Sequence, residues 1–313
     1  MRSILLFAAL LVSTFATAQG WPTKPLRMIV PFPAGGGTDL VARAAASKLA
    51  DALGQPVVVE NRPGAGGTIG ASAVANAAPD GYTIGVATSS THPAALALLK
   101  DVPYDPVKSF APITQVASTS FVLVGSPSLP AATFEELVTY AKANPGKLNF
   151  ANVGTGTLGY LMTQQLRALT GTDMVDVQYK GSAQVYPDLM SGQVQLFLDN
   201  PGASTPLVAS GRLRAYGVTT PTPSMPGVPR FTEMGLADFH PDFWYGLVAP
   251  AGTPKPVVER MHQDIERWVK SPEGRRELEA RSLVPMGTTP EEFAAAMRSE
   301  TERFRALGAR LIK

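Results

Sequence analysis

Two short glycine-rich stretches hold the residues best suited to grip a small molecule. The first is Pro31-Phe32-Pro33-Ala34-Gly35-Gly36-Gly37-Thr38-Asp39, and the second is Gly154-Thr155-Gly156-Thr157-Leu158-Gly159. Each follows an apolar β run and precedes a helical pattern. A helix that begins after glycines presents free backbone N–H groups and the positive end of its dipole, which is a setting for an anion. The hydroxyls of Thr38, Thr155 and Thr157 add neutral donors. Asp39 either meets a ligand or serves the dipole from the first helical turn. Gly154, Gly156 and Gly159 also fit G-x-G-x-x-G, with Asp173 or Asp176 as the following acid, so a nucleotide-cofactor enzyme is an alternative.

Residues for covalent or hydrolytic chemistry are sparse. The chain has no G-x-S-x-G, H-E-x-x-H or G-x-x-x-x-G-K-[ST] sequence. It has no cysteine, which excludes disulfides, thiolate metal sites and a cysteine nucleophile. The three histidines are His92, His240 and His262. His92 follows a strand end and could line a cleft. His262 lies among Glu259, Arg260 and Asp264, where a solvated helix face is expected. No enzymatic activity, metal or cofactor is expected.

The loops need elements to position them. Strands are expected at 26–30, 57–59, 82–88, 113–116, 121–124, 147–153, 174–179, 193–198, 213–218 and 244–249. Helices are expected at 40–53, 71–78, from Thr133, from the second glycine loop to about Leu169, at 182–191, at 255–269 and at 290–307. Thr133 with Glu136 has capping-box spacing. Thr289-Pro290-Glu291-Glu292 combines a cap, a first-turn proline and acids at the dipole's positive end. Strand, glycine loop and helix recur twice, which indicates an α/β protein with two similar lobes.

Arg2, the apolar run Ile4 to Val12 and Ala16-Thr17-Ala18 form a secretory signal pattern with a cut after Ala18. The run is shorter than the roughly 20 residues of a spanning helix, so export to the periplasm is expected. The formal charge is only +2. No basic block carries interleaved aromatics, so nucleic acid is not an expected partner.

Several ordered motifs resemble the Bug (TctC-like) extracytoplasmic receptors of tripartite tricarboxylate transporters. They are the stretch 31–39, Glu60-Asn61-Arg62-Pro63-Gly64-Ala65-Gly66-Gly67, Pro79-Asp80-Gly81-Tyr82-Thr83, Tyr179-Lys180-Gly181-Ser182, Asp188-Leu189 with Gly192-Gln193-Val194, and Trp244-Tyr245-Gly246-Leu247 with Ala249-Pro250-Ala251-Gly252-Thr253-Pro254. The resemblance implies a two-lobed periplasmic-binding-protein fold of the type II-like, two-crossover kind, with the ligand in the cleft between lobes. It divides the chain into 1–18, a first lobe over 19–120, a second over 121–222, and completion of the first over 223–313. It implies a small mono- or dicarboxylate, gripped by backbone and hydroxyl donors and passed by a monomeric receptor to inner-membrane transporter subunits, or to a membrane sensor. The site it implies comprises Phe32, Ala34, Gly35, Gly36, Thr38 and Asp39 from the first loop, and Gly154, Thr155, Gly156, Thr157 and Tyr160 from the second. Ser89, Ser90, Tyr179, Gly181, Ser182, Ala183 and Asp199 border them. Tyr160 stands where the family often has histidine.

Overall fold

The computed structural model describes residues 20–239 and 243–312. The expected signal segment and His240 fall outside the described residues. Two sheets organise the chain. The first contains β1 (Leu26–Val30), β2 (Val57–Asn61), β3 (Thr83–Thr88), β4 (Phe110–Thr119), β10 (Phe243–Pro250) and β11 (Val284–Pro285), in the order β11-β4-β10-β3-β1-β2. The second contains β5 (Val122–Gly125), β6 (Asn149–Asn152), β7 (Val175–Gln178), β8 (Leu196–Asp199) and β9 (Arg214–Val218), in the order β7-β6-β8-β5-β9. The fold is α/β and two-lobed, as the repeated strand-loop-helix unit indicated.

Around the first sheet lie α1 (Gly37–Leu53), α2 (Thr68–Ala75), α3 (Ala95–Leu98), α8 (Lys255–Lys270), α9 (Pro272–Glu279) and α10 (Pro290–Leu311). Helices α4 (Phe134–Ala143), α5 (Leu158–Thr170), α6 (Ser182–Ser191) and α7 (Pro201–Ala209) belong to the second. Strands β1, β2 and β3 pair in parallel, whereas β10 runs antiparallel between β3 and β4. All eight residues of β10 are buried. A strand drawn from beyond the second sheet is therefore threaded into the middle of the first, which ties the lobes through covalent chain as well as packing.

The chain leaves the first sheet between Thr119 and Val122 and rejoins it at Phe243. The segment before that return packs with the second lobe. Met225 and Val228 join its core, and Phe231 meets Phe134 and Phe239 edge-on at 5.3 and 5.0 Å. This differs from a return at residue 223, because the proline-rich stretch covers the second sheet before the chain crosses.

Both expected caps form. Thr133 Oγ1 accepts the Glu136 N–H at 3.2 Å, and Thr289 Oγ1 accepts the Glu292 N–H at 3.1 Å while Glu292 accepts the Thr289 N–H. Helix α1 begins three residues earlier than its apolar stripe suggests, which brings Thr38 and Asp39 into its first turn. Helices α3, α7 and α9 and β11 are too short to stand out in the sequence. His262 lies on the buried stripe of α8 with Val258, Met261 and Ile265, not on a solvated face. The spacing of four from Val258 puts it on the core side; Glu259 and Arg260 are exposed, whereas Asp264 is buried and accepts from Arg260 Nε at 2.7 Å and Arg267 at 3.0 Å. No helix among the described residues is long and apolar enough to cross a membrane.

Candidate ligand-binding cleft

A cavity of about 600 Å³ lies between the lobes, a size suited to a small metabolite. Its walls come from the loop after β1, the start of α6, the β8–α7 junction, β10 and the connection before β11. Three helix N-termini without a side-chain cap open onto it. Gly36, Gly37 and Thr38 begin α1; Gly181, Ser182 and Ala183 begin α6; Asn200, Gly202 and Ala203 begin α7. None of the three has a side-chain cap at its N-cap residue. Uncapped first-turn amides with the dipole behind them are what an anionic ligand requires.

Helix α5 behaves differently, although its glycine loop looks locally like the first. Ser90 Oγ, from the other lobe, accepts the Leu158 N–H at 3.0 Å, and Thr157 Oγ1 accepts the Tyr160 N–H at 3.3 Å. Thr157 also donates its hydroxyl to the Gly154 carbonyl at 2.8 Å. Two of the amides that would bind an anion or a dinucleotide pyrophosphate are thus taken by the protein. Gly154, Thr155 and Gly156 do not line the cavity, whereas Thr157 and Gly159 do. Gly156 instead meets the first lobe: a Cβ there would stand 3.3 Å from Gly66 Cα and 3.2 Å from Leu99. The second glycine loop is a point of contact between lobes.

Of the remaining residues singled out from sequence, Phe32, Ala34, Gly35, Gly36, Thr38, Ser90, Gly181, Ser182, Ala183 and Asp199 line the cavity. Asp39, Ser89, Tyr160 and Tyr179 do not, and each has a structural partner or position. Asp39 is buried and accepts from the Gly35 N–H at 3.0 Å, Arg43 Nε at 2.9 Å and Asn61 Nδ2 at 2.9 Å. Burial alone would push its carboxyl up, but Arg43, the Gly35 amide and Asn61 outweigh that and hold it below the ordinary value. Its role is to fix the loop that carries the α1 amides. Ser89 Oγ accepts the Trp244 N–H at 3.0 Å, locking β3 to β10. Tyr179 donates to Asp188 Oδ2 at 2.7 Å; burial and this carboxylate leave its phenol pushed up to about 12. Tyr160 is half-buried on the first turn of α5.

His92 is also outside the cavity. It is buried against Phe110, with ring centroids 4.5 Å apart, and burial pushes it down to about 3, so it is neutral at physiological pH.

The cavity includes residues that sequence spacing did not reveal. Thr119, Phe121, Phe243 and Tyr245 arrive through the sheet crossings, and Tyr186, Asn200, Lys180 and Arg281 complete the polar set. Tyr245 Oη lies 3.3 Å from Asn200 Oδ1, and a Cβ on Gly37 would stand 2.8 Å from the same oxygen. Tyr245 therefore links the start of α1 to the start of α7 across the cleft. Asp199 accepts from Ser182 Oγ at 3.2 Å, Tyr186 Oη at 2.8 Å and the Asn200 N–H. Burial pushes its carboxyl up despite these donors.

The sequence profile described as "Tripartite tricarboxylate transporter family receptor" matches residues 41–310. The chain belongs to that family. It is 35% identical to Protein BugT of Bordetella pertussis over 302 residues, covering 94% of this chain and 93% of that protein. The structure of periplasmic binding protein BugD superposes with a TM-score of 0.87 at 34% identity, covering 93% of this chain and 98% of that one. MatC from Rhodopseudomonas palustris with bound malate gives 0.86 at 32% identity, covering 92% and 100%. Rpa4515 of the same organism with adipate gives 0.88 at 32% identity, covering 93% and 98%. The chain is a solute-binding receptor of the periplasmic-binding-protein type.

Proposed function

We propose that this receptor captures a small mono- or dicarboxylate between its lobes and delivers it, unchanged, to the membrane subunits of a tripartite tricarboxylate-type transporter. The observation that carries the reading is the convergence of three uncapped helix N-termini on one cavity. Malate and adipate in two structural neighbours support the same ligand class. The cavity residues named above are the proposed ligand contacts, with α1 on one side and α6 and α7 on the other. The receptor is proposed to act as a monomer in the periplasm after its first 18 residues are removed. The proposed lobes are residues 20–119 with 243–312, and residues 122–239.

A thermal-shift panel of mono- and dicarboxylates, with sugars and nucleotides as controls, tests this. A ligand at 100 times its dissociation constant stabilises by about 2.7 kcal/mol. Stabilisation by one or more carboxylates, with the ligand recovered intact by mass spectrometry, is the expected outcome. A panel in which no carboxylate shifts the melt, or in which the bound ligand is converted, overturns it.

A further inference from the structure

The α1, α6 and α7 amides would serve a bare carboxylate, yet the same cavity holds a carboxylate of its own. Asp199 sits at the end of β8 in the cavity wall, and no lysine or arginine forms an ion pair with it among the described residues. Lys180 and Arg281 also line the cavity, but Arg281 pairs with Glu277 at 3.4 Å. An ionised carboxylate offers roughly four acceptor positions. Ser182, Tyr186 and the Asn200 amide occupy three. About one acceptor position is left for the cavity. Asp199 is half-buried, a charge partly withdrawn from water is costly without a counter-ion, and this desolvation pushes its carboxyl up.

A carboxylate-binding cavity gains nothing from a like charge unless the ligand brings something to it. An ammonium would supply a counter-charge and a donor; a hydroxyl would supply a donor. The start of α1 and the residue after Asp199 are bridged by Tyr245 and Asn200, so a short molecule can span an anionic end and a donating group. Resting on the proposed capture of small carboxylates, we propose that Asp199 makes this receptor selective for carboxylates that carry a hydrogen-bond-donating substituent over those that do not.

Succinate, L-malate and L-aspartate share one carbon skeleton and differ in having no substituent, a hydroxyl or an ammonium. Calorimetry of the full mature chain with each, at one pH, is the test. At least one substituted acid is expected to bind at least about tenfold tighter than succinate, and the winning arm identifies the donor. In Asp199→Asn that preference is expected to shrink to about threefold or less. Equal binding of all three by the wild type overturns the proposal, and this arm decides even where the variant does not fold. An unchanged preference in a folded Asp199→Asn overturns it as well. Failure of all three and of adipate to bind removes the capture of small carboxylates itself, and this selectivity with it.

Discussion

Replacement of Gly66 by alanine separates the stability of the first lobe from the ability of the lobes to meet. Gly66 has φ +66°, and a Cβ there would stand 2.7 Å from the Gly156 carbonyl oxygen and 2.8 Å from its carbonyl carbon and Cα. Two costs follow. The left-handed backbone costs alanine about 1–2 kcal/mol whether the lobes touch or not, so it lowers the melting temperature of the free protein. The collision is with backbone of the other lobe, which cannot swing aside, and overpacking of this kind costs about 1–3 kcal/mol. That second cost exists only while the lobes touch. Affinity is therefore expected to fall about 5- to 150-fold. Gly156→Ala is the matched control. Its backbone is free of positive-φ strain, and its Cβ meets the flexible end of Leu99 at 3.2 Å and Gly66 Cα at 3.3 Å, a milder contact than the 2.7 Å of Gly66, so affinity falls less and the free protein's melt barely moves. Calorimetry with the tightest acid of the thermal-shift panel, alongside melts of the free variants, reads both costs. A Gly66→Ala receptor that melts cooperatively and binds within twofold of wild type refutes the idea that binding needs these two turns in contact.

Asp39 has its carboxyl held low by Arg43, Gly35 and Asn61, so its contribution to stability is present above the ordinary aspartate value of about 3.9 and is lost as pH falls through its lower folded value. Melting temperature should drop below about pH 4, and Asp39→Ala, expected to cost about 1–3 kcal/mol in urea unfolding at neutral pH, should show a shallower acid limb. Ser90→Ala removes the acceptor of the Leu158 amide and should weaken binding by about 2- to 10-fold, the worth of one hydrogen bond, with little change in the free protein's melt; a wild-type affinity would mean that this inter-lobe bond does not support binding.

The α1 wall was legible in the sequence because every signal for it is local: an apolar strand, glycines, a hydroxyl and an acid directly before a helical stripe. The start of α6 was legible for a similar reason, from Gly181 and Ser182 before a helical run. Helix α7 was not. Asn200-Pro201-Gly202 looks like a turn, and Pro206 inside the helix removes an amide that a regular helix would use. Pro201 at the first helical position was the available sign, since its fixed φ suits a helix start. Phe121, Tyr245 and Arg281 reach the cavity only through the two chain crossings, and no spacing in the sequence encodes that. The Gly154 loop shows the opposite failure. Its local pattern is as suggestive as the first loop's, but Ser90 lies 68 residues away and takes its Leu158 amide. Whether a helix N-terminus is free is a tertiary property.

The distribution of charge explains why an anion can hold the lobes together. Each helix N-terminus carries roughly half a positive charge. Helix α1 points its end into the cavity from one lobe, and α6 and α7 do so from the other. Like ends facing one another across a cleft repel, so these three helices give the lobes no electrostatic reason to meet by themselves. Asp199 offsets part of this field on the α6–α7 side, where it already accepts from Ser182 and the Asn200 amide. The α1 side has no such acid: Asp39 is turned away to Gly35, Arg43 and Asn61. On the proposed reading, a ligand carboxylate lies at α1 and its donating group at Asp199, with Lys180 as a cationic neighbour beside the α6 start. Helix α5 contributes differently, through the Ser90 hydroxyl that accepts its Leu158 N–H from the other lobe and so adds a bond where the lobes meet. The ligand's charge, on the proposed reading, supplies what the remaining helix ends lack.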